Sequence, residues 1–267
     1  MLQLATVHFG SSAWIPIQTE RLRRHLSVPY RVWASLEEIE PGWDVHFDRV
    51  IPQVGRHAGK LNHLAFEISL EAEDSDLLVF LDGDAFPIAD PMPLIQTGLA
   101  AAPLVAVLRS ENTGDRQPHP CFCATTVGAW KAIGGDWSES AIWPTSIGNV
   151  SDVGGNLMRR LEAAKTPWTP ILRTNTHNPH PLFFGVYGHS IYHHGAGFRV
   201  PWSRADRDQI ERDLPPPETC EYQLYQQRWQ AAKARVVRRN EALSQQLFER
   251  IRTDDPSWIS DLDSEHL

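Results

Sequence analysis

The sequence predicts an α/β protein in which a mostly parallel central sheet is flanked by helices and followed by a C-terminal helical appendage. Three observations carry that expectation. The run LLVFL at residues 77–81 is short, continuous and apolar, as a strand covered on both faces must be. Residues 59–72 place Leu61, Leu64, Ala65, Ile68 and Ala72 on one helical stripe that leads into that strand. After Pro215, Pro216 and Pro217 the composition turns to Gln, Ala and Arg with few breakers, dividing the chain into a domain at 1–214 and a helical extension at 215–267.

The elements follow in order. Residues 2–9 read as the first strand, and Ser11 or Ser12 leads into a helix continuing through Thr19 to Leu26. A second short strand covers 30–33, and the polar EEIEPGWD that follows is a loop. Strand, helix, strand in this order requires a parallel crossover unit, with helices on both sheet faces. Residues 94–102 form a short helix before a strand at 104–108. A polar, broken stretch at 110–120 precedes an extended segment at 121–127, and the short helix at 128–133 ends at Gly134 and Gly135. Residues 152–164 show an acidic first turn and an apolar face through Val153, Leu157 and Leu161. Residues 167–175 are irregular or strand-like, and PLFFGVYG leads into IYHHGAGFRVPW. In the appendage, 218–252, the apolar points Tyr222, Tyr225, Trp229, Ala232, Val236 and Val237 describe an amphipathic helix that packs on its own domain or on a second copy of the chain.

Composition bounds the function. The 267 residues carry 25 Lys plus Arg against 33 Asp plus Glu, a formal net charge of -8. That balance argues against a nucleic-acid-binding surface while permitting a local basic patch for phosphate. No stretch approaches the roughly 18 apolar residues of a membrane span, and MLQLATVHFG lacks the basic and long apolar regions of a secretory signal, so the expected compartment is the cytoplasm. Three cysteines make no disulfide framework. Cys121 and Cys123 are too close, without a second pair, for structural zinc; alternating on a strand, they are expected to face one side as small core residues. Ten tryptophans are many for this length, most for the core and some for an apolar wall against a ring-shaped substrate.

The chemistry concentrates in LLVFLDGDAFPI, residues 77–88. If the extended geometry continues past the strand, Asp82 and Asp84 fall on one side, with Gly83 between them letting a ligand approach the backbone. Two such carboxylates suit a hard divalent cation, and a cation at a strand's carboxyl end suits a diphosphate. Asp-Gly is equally a turn signal. The second feature is HHGAGFRVPW, residues 193–202. Adjacent histidines on a strand point to opposite faces, so one can enter a site while the other packs.

Taken together, Asp82-Gly83-Asp84 and the later His194, Gly197, Pro201 and Trp202 resemble the GT-A nucleotide-sugar-dependent glycosyltransferases, whose DxD motif serves the Mn2+ or Mg2+ of a nucleoside diphosphate. The later element is similar to the H-x-x-G-x-x-K-P-W of the retaining, glycogenin and galactosyltransferase-like branch, with Val200 at the lysine position and Arg199 one residue earlier. The resemblance covers roughly residues 1–205. It implies a GT-A fold, metal ligation by Asp84 and His194, and a role for Asp82 toward the metal, its hydration shell, the ribose or the sugar. It further implies donor contacts from Lys60, Asn62, Arg199 and Trp202. The donor is then a nucleoside-diphosphate sugar, and the acceptor a saccharide, a lipid-linked intermediate, a small metabolite or a peptide.

Asp152 in NVSDVGGNL is the remaining catalytic carboxylate: a general base in an inverting reaction, an orienting group in a retaining one, and a helix cap on the plainer reading. Asp136 is a weaker substitute. His119 and His180 border strand starts and are candidates for the acceptor side. Two other readings stand beside this one. A sugar-nucleotide nucleotidyltransferase requires a glycine-rich basic loop near the amino terminus, which VHFGSSAW does not supply. A non-enzymatic scaffold requires the acidic pair to be only a turn.

Overall fold

The computed structural model describes the chain except for residues 53, 113, 140, 146–147, 215–221 and 263–267. Its strands are β1 (Leu2–Phe9), β2 (Tyr30–Glu37), β3 (Arg49–Val50), β4 (Leu77–Asp82), β5 (Ala85–Pro87), β6 (Leu104–Val107), β7 (His119–Thr126), β8 (Trp143–Thr145), β9 (Gly148–Val150), β10 (Thr169–Ile171), β11 (Gly185–Tyr187) and β12 (Ile191–His193). The helices are α1 (Ile15–His25), α2 (His57–Glu71), α3 (Met92–Ala101), α4 (Val127–Ile133), α5 (Gly155–Ala163), α6 (Arg204–Asp213), α7 (Tyr222–Arg252) and α8 (Ser257–Ser260).

Seven strands form the main sheet in the order β10-β6-β7-β4-β1-β2-β3. Its pairs are parallel except for β7, which runs antiparallel between β4 and β6. The predicted mostly parallel sheet with flanking helices and a C-terminal helical extension, a Rossmann-like arrangement of the GT-A kind, is therefore the one found. β2 is four residues longer than the sequence suggests, because every residue from Tyr30 to Glu37 pairs in register with β1; ladder pairing outweighs the polarity of its last residues.

One face of the sheet packs Val7, Trp33 and Phe80 against Leu61, Leu64 and Ile68 of α2 and Leu157 of α5. The other packs Leu4, Val79 and Leu81 against Leu22 of α1 and Ile95 of α3. Cys121 and Cys123 correct the expectation of a shared side, since Cys123 belongs to the first cluster and Cys121 to the second. The β6–β7 register shifts between Ala106 and Val107, and such a bulge breaks strict side-chain alternation.

A second, three-stranded sheet, β11-β12-β5, grows from the end of β4. Its aromatic face, with Phe86 and Tyr192, packs against Leu247 and Ile251 of α7 and Trp258 of α8. Burying Leu247 and Ile251 stabilises this docking by about 1.5–3 kcal/mol each, so the later part of α7 covers its own domain. Among the described residues no helix is long and apolar enough to cross a membrane.

Candidate active site

Asp82 closes β4, Gly83 and Asp84 make a turn, and Ala85 opens β5. The Asp-Gly-Asp segment is thus both a turn and the floor of a cleft. Gly83 is required by crowding from the sheet: a Cβ there would lie 2.4 Å from the Val7 carbonyl oxygen and 2.8 Å from His8 Nδ1. The turn is clamped by Gln18 of α1, whose side-chain amide donates to the carbonyls of Asp82 and Ala85, each at 2.8 Å. Gln18 Oε1 in turn accepts from Thr6 Oγ1 at 3.1 Å and lies 3.2 Å from His8 Nε2. Burial pushes the His8 pKa down to about 4, so the ring is neutral; because Gln18 Oε1 can only accept, Nε2 carries its proton.

Pairing of β5 with β12 sets His193 opposite Ala85. This register brings Asp82, Asp84 and His193 together, one ligand atom from each lying within 4.8 Å of the others. His193 Nε2 is 3.5 Å from Asp82 Oδ2 and 3.5 Å from Asp84 Oδ1. Adjacent ligands around a six-coordinate cation with bonds of about 2.1 Å stand about 3 Å apart, so two carboxylates and an imidazole at this spacing fit a divalent cation with small adjustments. Burial would raise the Asp84 carboxyl, but His193 beside it and the Gly197 amide hold it far below the usual range. Burial would lower His193, but Cys121 and Asp84 beside it draw it well above an ordinary histidine.

The remaining contacts fix the two carboxylates. Asp82 Oδ1 is 3.0 Å from His57 Nε2. Asp84 Oδ2 accepts from the Gly197 amide at 2.9 Å, and the Asp84 carbonyl accepts from the His194 amide at 3.0 Å. A Cβ on Gly197 would meet Asp84 Cβ at 2.6 Å and Trp14 Nε1 at 2.5 Å, which explains why glycine stands there.

His194 is placed differently from the expectation. Strand alternation carries it to the opposite face, beneath Trp14 and Phe184. There its ring nitrogens lie 2.9 Å from the Tyr192 hydroxyl and 2.8 Å from Ser244 Oγ of α7. Burial lowers its pKa to about 3. Its neighbour His193 is the imidazole that joins the aspartates.

The cleft holds about 420 Å³. Lys60, Arg109 and Arg199 bring positive charge to its walls, Asp152 and His119 also line it, and Phe9 and Phe198 supply apolar surface. Lys60, expected near the donor, lines the cleft and is buried; it pairs with Glu37 and sits 4.9 Å from the Phe9 ring centroid. Arg199 donates Nε to the Gly195 carbonyl at 3.0 Å and lies over Phe183.

Arg109, which the sequence reading missed, is buried at the end of β6. Burial opposes its charge, but Asp115 and Asp152 override that and raise its pKa. Its Nε reaches Asp115 Oδ2 at 3.0 Å and its Nη2 reaches Asp152 Oδ2 at 2.7 Å. Asp152 does not cap a helix: Gly154 is the N-cap of α5, with a positive φ of 87°, and the expected acidic first turn lies before the helix. Burial, reinforced by Arg109 and His193, pushes His119 well below the ordinary histidine range. Its Nδ1 accepts from the Cys121 amide at 3.1 Å, leaving the proton on Nε2.

Four other candidates stand away from the cleft. Asn62 bonds Asp136 and the Trp137 amide. Asp136 is a hub that also binds Asn156, Arg160 and the Ser138 amide. Trp202 packs on Trp229 of α7 with Lys233 nearby. His180 is buried against Asp206, with the Leu182 and Phe183 amides donating to its Nδ1. Among the described residues no tryptophan lines the cleft, and its apolar wall is made by phenylalanines instead.

No family model matches this sequence, and no curated protein matches it. Among solved structures, the apo form of the glycosyltransferase GlyE from Streptococcus pneumoniae TIGR4 is similar at 13% identity over 63% of this chain and 44% of that one, with a TM-score of 0.42. The galactosyltransferase LgtC, in complex with donor and acceptor sugar analogs, is similar at 13% identity over 49% and 60%, with a TM-score of 0.34. TarS of S. aureus is similar at 9% identity over 51% and 30%, with a TM-score of 0.38. The matched part of this chain spans less than two thirds of each of those proteins.

Proposed function

We propose that this chain is a metal-dependent glycosyltransferase that moves a sugar, a hexose by preference, from a nucleoside-diphosphate sugar to an acceptor. The observation that carries this reading is the convergence of Asp82, Asp84 and His193 on the floor of a cleft whose walls hold Lys60, Arg109 and Arg199. Asp82, Asp84 and His193 would hold Mn2+ or Mg2+. Bound there, the ion supplies Lewis-acid stabilisation to a departing nucleoside diphosphate.

The chain's own residues do the rest. Lys60 and Arg199 bind donor phosphate oxygens, and His57 steadies the Asp82 carboxylate. Asp152 orients a sugar or acceptor hydroxyl. One of its oxygens is engaged by Arg109 and the other accepts from the Val153 amide at 2.8 Å, contacts that fix its direction. Phe9 and Phe198 line the cleft with apolar surface, which limits competition by water.

Calorimetric titration with UDP, GDP, ADP and dTDP, each with Mn2+ and then with excess chelator, tests the reading. A metal-dependent complex weakened by Asp84→Ala and His193→Ala supports it and names the base for a product assay. A folded protein that binds none of the four sinks it.

A further inference from the structure

A groove larger than the cleft lies apart from it, between α6 and the first half of α7, and holds about 1060 Å³. Arg212 enters it from α6, and Arg228, Arg235, Arg238 and Arg239 from α7. Its apolar floor includes Ile210, Ala232 and Val236. The charge is segregated: residues 222–240 contain five Lys or Arg and no Asp or Glu, in a chain of net charge -8.

These arginines are not spent on ion pairs. Among the described residues Arg212 bonds only the Gln209 side chain and Arg239 only Asn240, and none of the five meets a carboxylate. The two acids that line the groove have other partners. Asp206 is taken by His180, Ser203 and Asn240, and Asp213 accepts from Gln209. Nor does packing explain the row, since the side of α7 that meets the core carries Asn240, Leu247 and Ile251.

Arg228 and Arg239 are eleven residues apart, about 16 Å along a helix rising 1.5 Å per residue. Arg235 lies between them on the same side of α7, and Arg212 faces them from α6. A single phosphate can engage two guanidiniums at most in such a row. A ligand presenting several phosphates in line can engage all of them with paired, charge-assisted bonds.

We propose that the α6–α7 groove is a second binding site, for a ligand bearing a row of phosphate groups. Such phosphates come from a soluble polyphosphorylated molecule or from the headgroups of an anionic lipid. The site is independent of the sugar-transfer reading, because among the described residues it shares no lining residue with the cleft.

The test uses the full chain and the double variant Arg228→Gln/Arg235→Gln. Both positions are exposed, so the variant keeps the helix and its core contacts, which a melting curve coincident with wild type verifies. Each protein is titrated in chelator with sodium tripolyphosphate, with phosphatidylglycerol vesicles, with phosphatidylcholine vesicles and with polyglutamate. Saturable binding of tripolyphosphate identifies a soluble ligand, and binding confined to phosphatidylglycerol vesicles identifies a lipid headgroup. In either case the double variant binds at least about ten-fold more weakly, and added salt weakens the wild type. The proposal is overturned if wild type binds neither phosphate source, if the variant binds as tightly as wild type, or if polyglutamate or phosphatidylcholine binds equally well.

Discussion

Replacing the two adjacent histidines one at a time separates ligation from packing. His193→Ala removes one of the three protein donors gathered around Asp82 and Asp84. Loss of a mere outer-sphere partner weakens metal sites about 10- to 100-fold, so loss of a donor should weaken Mn2+ binding by about 100-fold or more. His194→Ala removes a ring that lies 2.9 Å from the Tyr192 hydroxyl and 2.8 Å from Ser244 Oγ. Leaving the buried Tyr192 hydroxyl without a partner costs about 1–3 kcal/mol, before the gap left between Trp14 and Phe184 is counted. Calorimetric Mn2+ titration and urea unfolding of both variants read the two effects apart. The expected outcome is a folded His193→Ala protein that no longer holds the ion and a less stable His194→Ala protein that does. If folded His194→Ala loses Mn2+ while His193→Ala keeps it, the assignment of the ligand is wrong.

Three further outcomes follow from the same geometry. Arg109→Gln leaves Asp115, with a side chain only 3% exposed, without its cation, and breaking such a buried pair costs about 3–5 kcal/mol; an unchanged urea midpoint would contradict that role. Gly197→Ala forces a methyl against Asp84 and Trp14, so it should cost about 1–3 kcal/mol and weaken Mn2+ binding, both checked on one purified variant. Metal-free protein should lose stability as pH falls below 6.5. His8 and His194, with folded pKa values of about 4 and about 3 against 6.5 for an ordinary histidine, stay neutral in the fold while the unfolded chain takes up protons. Their contribution is therefore complete above pH 6.5 and is lost toward pH 4 at up to about 1.4 kcal/mol per pH unit each. His8→Gln, compared with wild type in urea titrations across that range, should show the shallower dependence.

Much of the fold was legible because it is written in local periodicity. The runs that became β1 and β4, and the stripe Leu61, Leu64, Ala65 and Ile68 of α2, state their partners by being apolar on the faces they bury. The acidic pair was legible for the same reason, since it directly follows a strand. Choosing between His193 and His194 was not, because alternation says that they point apart without saying which way. That choice is made by the β5–β12 register, a contact between segments more than a hundred residues apart. Arg109 was hidden likewise: in sequence it is one cation after an apolar run, and only the fold supplies Asp115 and Asp152. The burial of Lys60 was hidden as well, because its partner Glu37 stands at the end of a β2 longer than its polarity suggested.

The second sheet joins these parts into one device. The Asp84 carbonyl accepts from the His194 amide, while the His194 ring reaches Ser244 of α7. Gln18 holds the same turn from the opposite side through the carbonyls of Asp82 and Ala85. The position of Asp84 is therefore set by backbone bonds, which a change in charge at the cleft does not dissolve, and by aromatic packing that includes Trp14 against Phe248 of α7. A carboxylate held in this way loses little freedom when a cation arrives, so binding need not spend energy on ordering it. The same connections make the C-terminal helix a structural support of the cleft, although no α7 residue lines it.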